Sequence, residues 1–170
     1  MPVSRILGVD LGSRRIGLAV ADAGVGIARP LSTVRRAATP QADADTLRRV
    51  CAEHSVGELV VGLPIEARGT EGEMAAGARG WAEDVAARLG LPVTLRDERL
   101  SSFEAERRMG RMPRGRSGGP PSRTQRDAWR ARVDREAASV ILQDELDARR
   151  DAMGAASPAR GTDPPAETPG

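Results

Sequence analysis

The chain has 170 residues, with 26 arginines, no lysine and 24 acids, and a net charge of +2. A single cysteine, Cys51, and a single histidine, His54, exclude an internal disulfide framework and a zinc centre built from Cys and His. No run reaches the ~18 apolar residues of a membrane span, and the N-terminus lacks the charged-then-apolar order of a signal sequence, so a cytoplasmic protein without a membrane partner is expected.

Ile6–Asp10, Ile16–Ala21 and residues 26–30 read as three short strands joined by tight turns, with Ile16, Leu18 and Val20 alternating onto one face. Residues 44–54 form a predicted helix with Leu47, Val50 and Cys51 inward. Glu58–Gly62 is a short buried strand that stops at Leu63-Pro64. A loop precedes a predicted helix over 71–89, and Pro92–Arg96 is a further strand. Ser101 and Glu104 have the spacing of a capping box, which starts a helix reaching Met109.

Arg111–Arg123, with Gly118-Gly119-Pro120-Pro121 at its centre, predicts a mobile loop. Residues 133–149 form the last helix, opened by Asp134. From Asp151 onward small residues and prolines dominate, and a disordered tail is expected over 151–170, leaving one domain over residues 1–150. About 150 residues suffice for one core and not for two. Three strands, then helices alternating with strands, imply an α/β fold: a mixed sheet in which an antiparallel meander leads and crossover helices add parallel strands.

Charge is distributed unevenly. Residues 107–132 contain nine arginines and one acid, Asp127. Arginine binds phosphate bidentately and stays charged at any working pH. A solvated loop is the plain reading of this stretch; an electrostatic grip on phosphates is the functional one. Aromatic residues are limited to Trp81, Trp129 and Phe103, so base stacking can supply little of any nucleic-acid binding.

Three carboxylates are oddly placed. Asp10 ends an apolar strand just before Gly12, where a charge costs several kcal/mol unless it is paired or bound to a cation. Glu98 follows Asp97 beyond the end of a strand predicted to be parallel, the side of such sheets where sites form. Asp134 is followed at helical spacing by Ala137, Ala138 and Ile141, so it projects from the core-facing stripe. The plain alternatives are helix-dipole compensation for Asp134 and a surface ion-pair cluster around Arg96-Asp97-Glu98-Arg99. If the three acids converge they need a cation. An all-oxygen ligand set selects Mg²⁺ or Mn²⁺, suited as a pair to in-line phosphodiester hydrolysis.

Four motifs occur together and in order: Gly8-Val9-Asp10-Leu11-Gly12-Ser13-Arg14-Arg15-Ile16-Gly17; Val60-Val61-Gly62-Leu63-Pro64 with Gly69-Thr70-Glu71; Asp97-Glu98-Arg99-Leu100-Ser101-Ser102 with Ala105; and Val133-Asp134 with Ala137-Ala138 and Ile141-Leu142-Gln143. In these the chain resembles the YqgF family, also called RuvX or pre-16S rRNA nucleases, over residues 5–147. The resemblance implies a ribonuclease H-like fold, trimming of the 5′ end of precursor 16S rRNA, and Asp10, Glu98 and Asp134 as catalytic acids and ligands to two Mg²⁺ or Mn²⁺ ions. Of the neighbours Asp97 and Glu98, which face opposite ways on a strand, only one should be a ligand. Arg14, Arg15, Thr70, Arg99, Arg130 and Arg132 are the expected substrate contacts, with the Gly62-Leu63-Pro64 turn beside them. RNA is the expected partner. The competing functions are a Holliday junction resolvase acting on DNA and a non-catalytic nucleic-acid-binding module. The chain departs from the family in a longer, more arginine-rich segment between Arg107 and Asp134.

Overall fold

The structure is a computed structural model that describes residues 4–24, 26–64, 72–98 and 101–156. Five strands form one sheet: β1 (Arg5–Leu11), β2 (Arg15–Asp22), β3 (Arg29–Arg35), β4 (Val56–Leu63) and β5 (Val93–Asp97). Their order is β3-β2-β1-β4-β5. β2 pairs antiparallel with both β1 and β3, while β4 lies parallel to β1 and β5 parallel to β4. This is the expected mixed sheet. The parallel pairs require crossovers, supplied by α1 (Pro40–His54) between β3 and β4 and α2 (Glu73–Leu89) between β4 and β5. Two further helices follow, α3 (Ser101–Met109) and α4 (Arg123–Ala155).

Alternation along β1 divides the core into two layers. Leu7 and Val9 face α1 and α2, packing with Ile16, Leu18, Leu47, Trp81 and Val85. Ile6 faces the other way, with Ala19 and Val60, onto Ala138, Ile141 and Leu142 of α4. Gly8 and Asp10 share the face of Ile6, the α4 face. Between α1 and α2 one carboxylate is fully buried. Asp43 is 1% exposed and accepts hydrogen bonds from the Trp81 indole N–H (2.9 Å) and the Ala37 amide (2.7 Å).

Several element boundaries differ from the sequence expectation. α1 starts at Pro40 rather than 44, because the Thr39 hydroxyl caps it by accepting from the Ala42 amide and proline is well placed at a first helical position. β3 spans 29–35 rather than 26–30. The backbone at 26–28 is taken by Gln143, whose amide N–H donates to the Gly26 carbonyl while its oxygen accepts from the Ala28 amide, both at 2.9 Å. The expected capping box at Ser101 does not form. Its hydroxyl donates back to the Glu98 carbonyl, and Glu104 instead pairs with Arg107 and Arg108.

The largest correction concerns α4, which begins at Arg123, inside the segment expected to be irregular, and ends at Ala155, beyond the expected limit of the domain. A capping box between Ser122 and Gln125 starts it, and Trp129, Val133 and Ala137 bury against Ala105 of α3. Asp134 therefore lies about three turns inside a helix and not at its N-terminus, which removes dipole compensation as its explanation. The tail expected to be disordered coincides with helix as far as Ala155, and its remainder lies outside the described residues.

Candidate active site and its basic groove

Three glycines set the site by what they leave out. Gly17 is the cross-strand partner of Asp10, so both face α4. A Cβ at Gly17 would lie 2.0 Å from the Asp134 carbonyl oxygen, and one at Gly8 would lie 2.7 Å from the Leu142 Cβ. Only bare backbone at these points lets α4 lie against β1 and β2 closely enough to bring Asp134 beside Asp10. Gly62, near the end of β4, gives up the space that the Glu98 side chain fills: a Cβ there would sit 2.7 Å from Glu98 Oε2.

Glu98 is fixed by its own backbone. Its amide donates to the Leu63 carbonyl (3.0 Å), and its carbonyl accepts from the Ser101 amide and hydroxyl, both at 2.9 Å. The side chain thereby turns inward to Asp10. Burial is the main force on the Asp10 carboxyl, pushing its pKa up to about 8; the Glu98 charge, a hydrogen bond shared with Glu98 and the Asp134 charge add to the rise. Glu98 is also raised, mainly by burial and then by repulsion from Asp97, with the shared hydrogen bond opposing. Two buried carboxyls sharing a proton is how such a pair exists without a cation. Of the neighbours Asp97 and Glu98, Glu98 is thus the one that meets Asp10.

Glu98 Oε2 is buried with no hydrogen-bond partner. An acceptor left in this state costs roughly 1–3 kcal/mol, so it marks a place for a ligand the chain itself does not supply. The donors that meet here are carboxylate oxygens, which suit a hard divalent cation; Cys51 packs in the core layer on the opposite face of the sheet.

The third acid is close but differently engaged. Asp134 Oδ2 accepts from Arg15 Nε at 2.6 Å, both side chains being partly exposed. Among the described residues no group of three or more His, Cys, Asp or Glu side chains is close enough to hold one metal ion. The sequence expectation of three converging ligands is therefore met by a buried pair, Asp10–Glu98, with Asp134 alongside and tied to Arg15.

The arginines divide into groups. Arg14 of the β1–β2 turn, Arg15 at the start of β2 and Arg130 of α4 line one cleft of about 400 Å³ that also reaches Gly12 and Asp134. This cleft adjoins a groove of about 620 Å³ lined by Arg14, Arg15, Arg35, Arg123, Arg126 and Arg130. Arg132 does not join them; its guanidinium lies over the Trp129 ring, 5.8 Å from the centroid. Arg107 and Arg108 are paired with Glu104, and Arg108 also with Glu136. Thr70 and Arg99 lie outside the described residues. Arg35, Arg123 and Arg126 were missed as individual contacts. The Ser122-x-x-Gln125 pattern was the available signal, because a helix from there puts 123, 126 and 130 on one face.

The chain's sequence relatives point to one family. The family described as "RuvX: Holliday junction resolvase" matches residues 4–148. The chain belongs to the RuvX family. A relative from Anaeromyxobacter sp. (strain Fw109-5), named "Putative pre-16S rRNA nuclease", is 49% identical over 85% of this chain and 98% of its own length. Another of the same name from Chloroflexus aggregans is 41% identical over 85% of this chain and 94% of its own. Among solved structures, Thermus thermophilus RuvC in complex with a Holliday junction substrate is similar at 18% identity and a TM-score of 0.48, covering 86% of this chain and 96% of that one. The five-stranded mixed sheet flanked by helices is the α/β architecture expected, and the relatives of this RuvX chain are named as nucleases, hydrolases of phosphodiester bonds. None of the described helices is long and apolar enough to cross a membrane.

Proposed function

We propose that this chain is a divalent-metal-dependent nuclease that trims the 5′ end of precursor 16S rRNA in the cytoplasm. The observation that carries the reading is the buried Asp10–Glu98 pair with its orphaned oxygen, at the C-terminal end of the parallel strands. The names of the relatives support RNA as substrate. The family description supports a second reading, a DNA junction resolvase using the same acids.

Asp10 and Glu98 would hold the first Mg²⁺ or Mn²⁺ ion, and Asp134, once released by Arg15, would share in holding a second. When bound, such ions activate a water and stabilise the charge of the leaving oxygen. The chain's own part is positioning. Gly62 and the Leu63 carbonyl hold Glu98 in place, Gly17 holds α4 so that Asp134 faces Asp10, and Arg14, Arg15 and Arg130 orient the phosphate. To hold a cation both Asp10 and Glu98 would have to be ionised, against their raised pKa values, so loading should release protons and strengthen as pH rises.

The test is cleavage of matched single-stranded RNA carrying the precursor 5′ sequence, single-stranded DNA and a four-way DNA junction, in Mg²⁺, Mn²⁺ or EDTA. Metal-dependent cutting of the RNA, lost in Asp10→Asn and Glu98→Gln, is expected. Cutting confined to the junction would favour the resolvase, and activity that survives both substitutions would remove the acids from the mechanism.

A further inference from the structure

The groove beyond the acids has a character that metal chemistry does not require. Arg14, Arg35 and Arg130 are exposed and make no ion pair among the described residues, although all three line the same groove. Arg126 donates to the Pro121 carbonyl and makes no ion pair among the described residues, and Arg123 lies 3.9 Å from Asp127 in a mostly exposed contact. Five guanidinium groups are thus held together with one acid between them. Like charges gathered on separate elements repel unless an anion joins them.

Their arrangement is directional. Residues 123, 126, 130 and 134 fall on one face of α4, so the arginine row leads along about 16 Å of helix to Asp134. β3, the β1–β2 turn and the start of β2, carrying Arg35, Arg14 and Arg15 in that order, make the facing wall. Thr33 of β3 ties the walls together, its hydroxyl donating to the Ala131 carbonyl at 2.5 Å. Arg15 lines both groove and cleft and pairs with Asp134, which makes it the junction between the two. No aromatic side chain lines the groove. A groove of about 620 Å³ lined by guanidinium groups thus offers contacts to a phosphate backbone and no surface on which a base could stack.

Building on the nuclease reading, we propose that this groove is a docking track for the phosphate backbone of the single strand on one side of the cleaved bond. It reads no base. With about one phosphate for each of these five guanidinium groups, the track engages roughly five phosphates.

The test uses the full chain in EDTA, so that its outcome does not depend on cleavage or on metal binding. Fluorescence anisotropy with 12-nucleotide single-stranded RNAs is followed across a salt series. Five phosphate contacts predict a slope of log affinity on log salt of about −3.5, equal for oligo-U and oligo-A. The double variant Arg35→Gln/Arg126→Gln should flatten the slope to about −2 and weaken binding at least tenfold at 100 mM salt. Arg111→Gln/Arg114→Gln, with the same change in net charge but outside the groove, should leave the slope unaltered. Thermal unfolding of both doubles verifies the fold. Equal effects of the two doubles, a wild-type slope near zero, or tighter binding of a duplex that neither double changes would overturn the track. Absence of cleavage in the metal assay, with these slopes intact, would instead strike only the nuclease reading.

Discussion

Replacing Asp10 by asparagine should make the metal-free protein more stable, and the reason is burial of charge. An acid with a raised native pKa keeps a proton that the unfolded chain has already released. Stability due to Asp10 is therefore complete below its ordinary pKa of 3.8 and is lost as pH climbs toward about 8. Each pKa unit corresponds to about 1.4 kcal/mol, which sets a ceiling of about 4 kcal/mol at pH 7. Water entering from the cleft beside Asp134 lowers this, and asparagine retains a donor that can serve Glu98 Oε2. A gain of about 2 kcal/mol is expected, or a rise in Tm of about 4–8 °C for a chain of this size.

Thermal unfolding in EDTA at pH 4, 6 and 8 measures it. The two proteins should converge at pH 4 and separate progressively above it. Manganese should then reverse the order. Wild type should gain about 2.7 kcal/mol at a hundredfold excess over its Kd, while Asp10→Asn, short of one ligand, gains far less. A lower Tm for Asp10→Asn at pH 8 in EDTA, or equal stabilisation of both proteins by manganese, would refute the buried-pair reasoning.

Three other substitutions probe how the site is held. Arg15→Gln removes the guanidinium that occupies Asp134, so manganese affinity, measured by calorimetry, should tighten by up to about fivefold, the worth of a partly exposed ion pair. Gly17→Ala puts a methyl group 2.0 Å from the Asp134 carbonyl, backbone that cannot step aside without moving α4; a loss of about 1–3 kcal/mol in urea unfolding is expected, together with weakened manganese binding. Asp43→Ala strips the partners from the Trp81 indole and the Ala37 amide on the opposite face of the sheet, and should cost about 2–4 kcal/mol in the same assay while leaving manganese affinity unchanged.

The sheet was legible because its strands alternate and their connections leave few topologies open. Leu7 and Val9 against Ile6 and Gly8 already assign two covered faces, and helix-length segments between strands demand parallel pairing. The first half of α4 was not legible. Pro120-Pro121 and the surrounding arginines mask a helix whose buried stripe there amounts to Trp129 and Val133, and only the Ser122–Gln125 box betrays its start. Asp10 and Glu98 stood out by breaking the local pattern, and they do meet. The partner of Asp134 could not be read from spacing, since Arg15 lies 119 positions away and only the closeness permitted by Gly8 and Gly17 brings it there.

The two halves of the site oppose each other electrically, and on the proposed nuclease reading that opposition would give a metal its place in the cycle. Ionised, Asp10, Glu98 and Asp134 would repel a phosphate that the arginine groove attracts. Two unit charges 4 Å apart at an effective dielectric of about 20 differ by about 4 kcal/mol each way. In the metal-free protein the raised pKa of the buried Asp10–Glu98 pair, which favours the protonated form, and the Arg15 guanidinium on Asp134 both mute this conflict. A strand could then dock along the groove but would gain nothing by entering the cleft. A divalent cation held by Asp10 and Glu98 would offset their charge, and a docked phosphate would then be a ready partner for Arg15 in place of Asp134. Metal and nucleic acid should therefore raise each other's affinity, by one and the same factor, since such coupling is reciprocal.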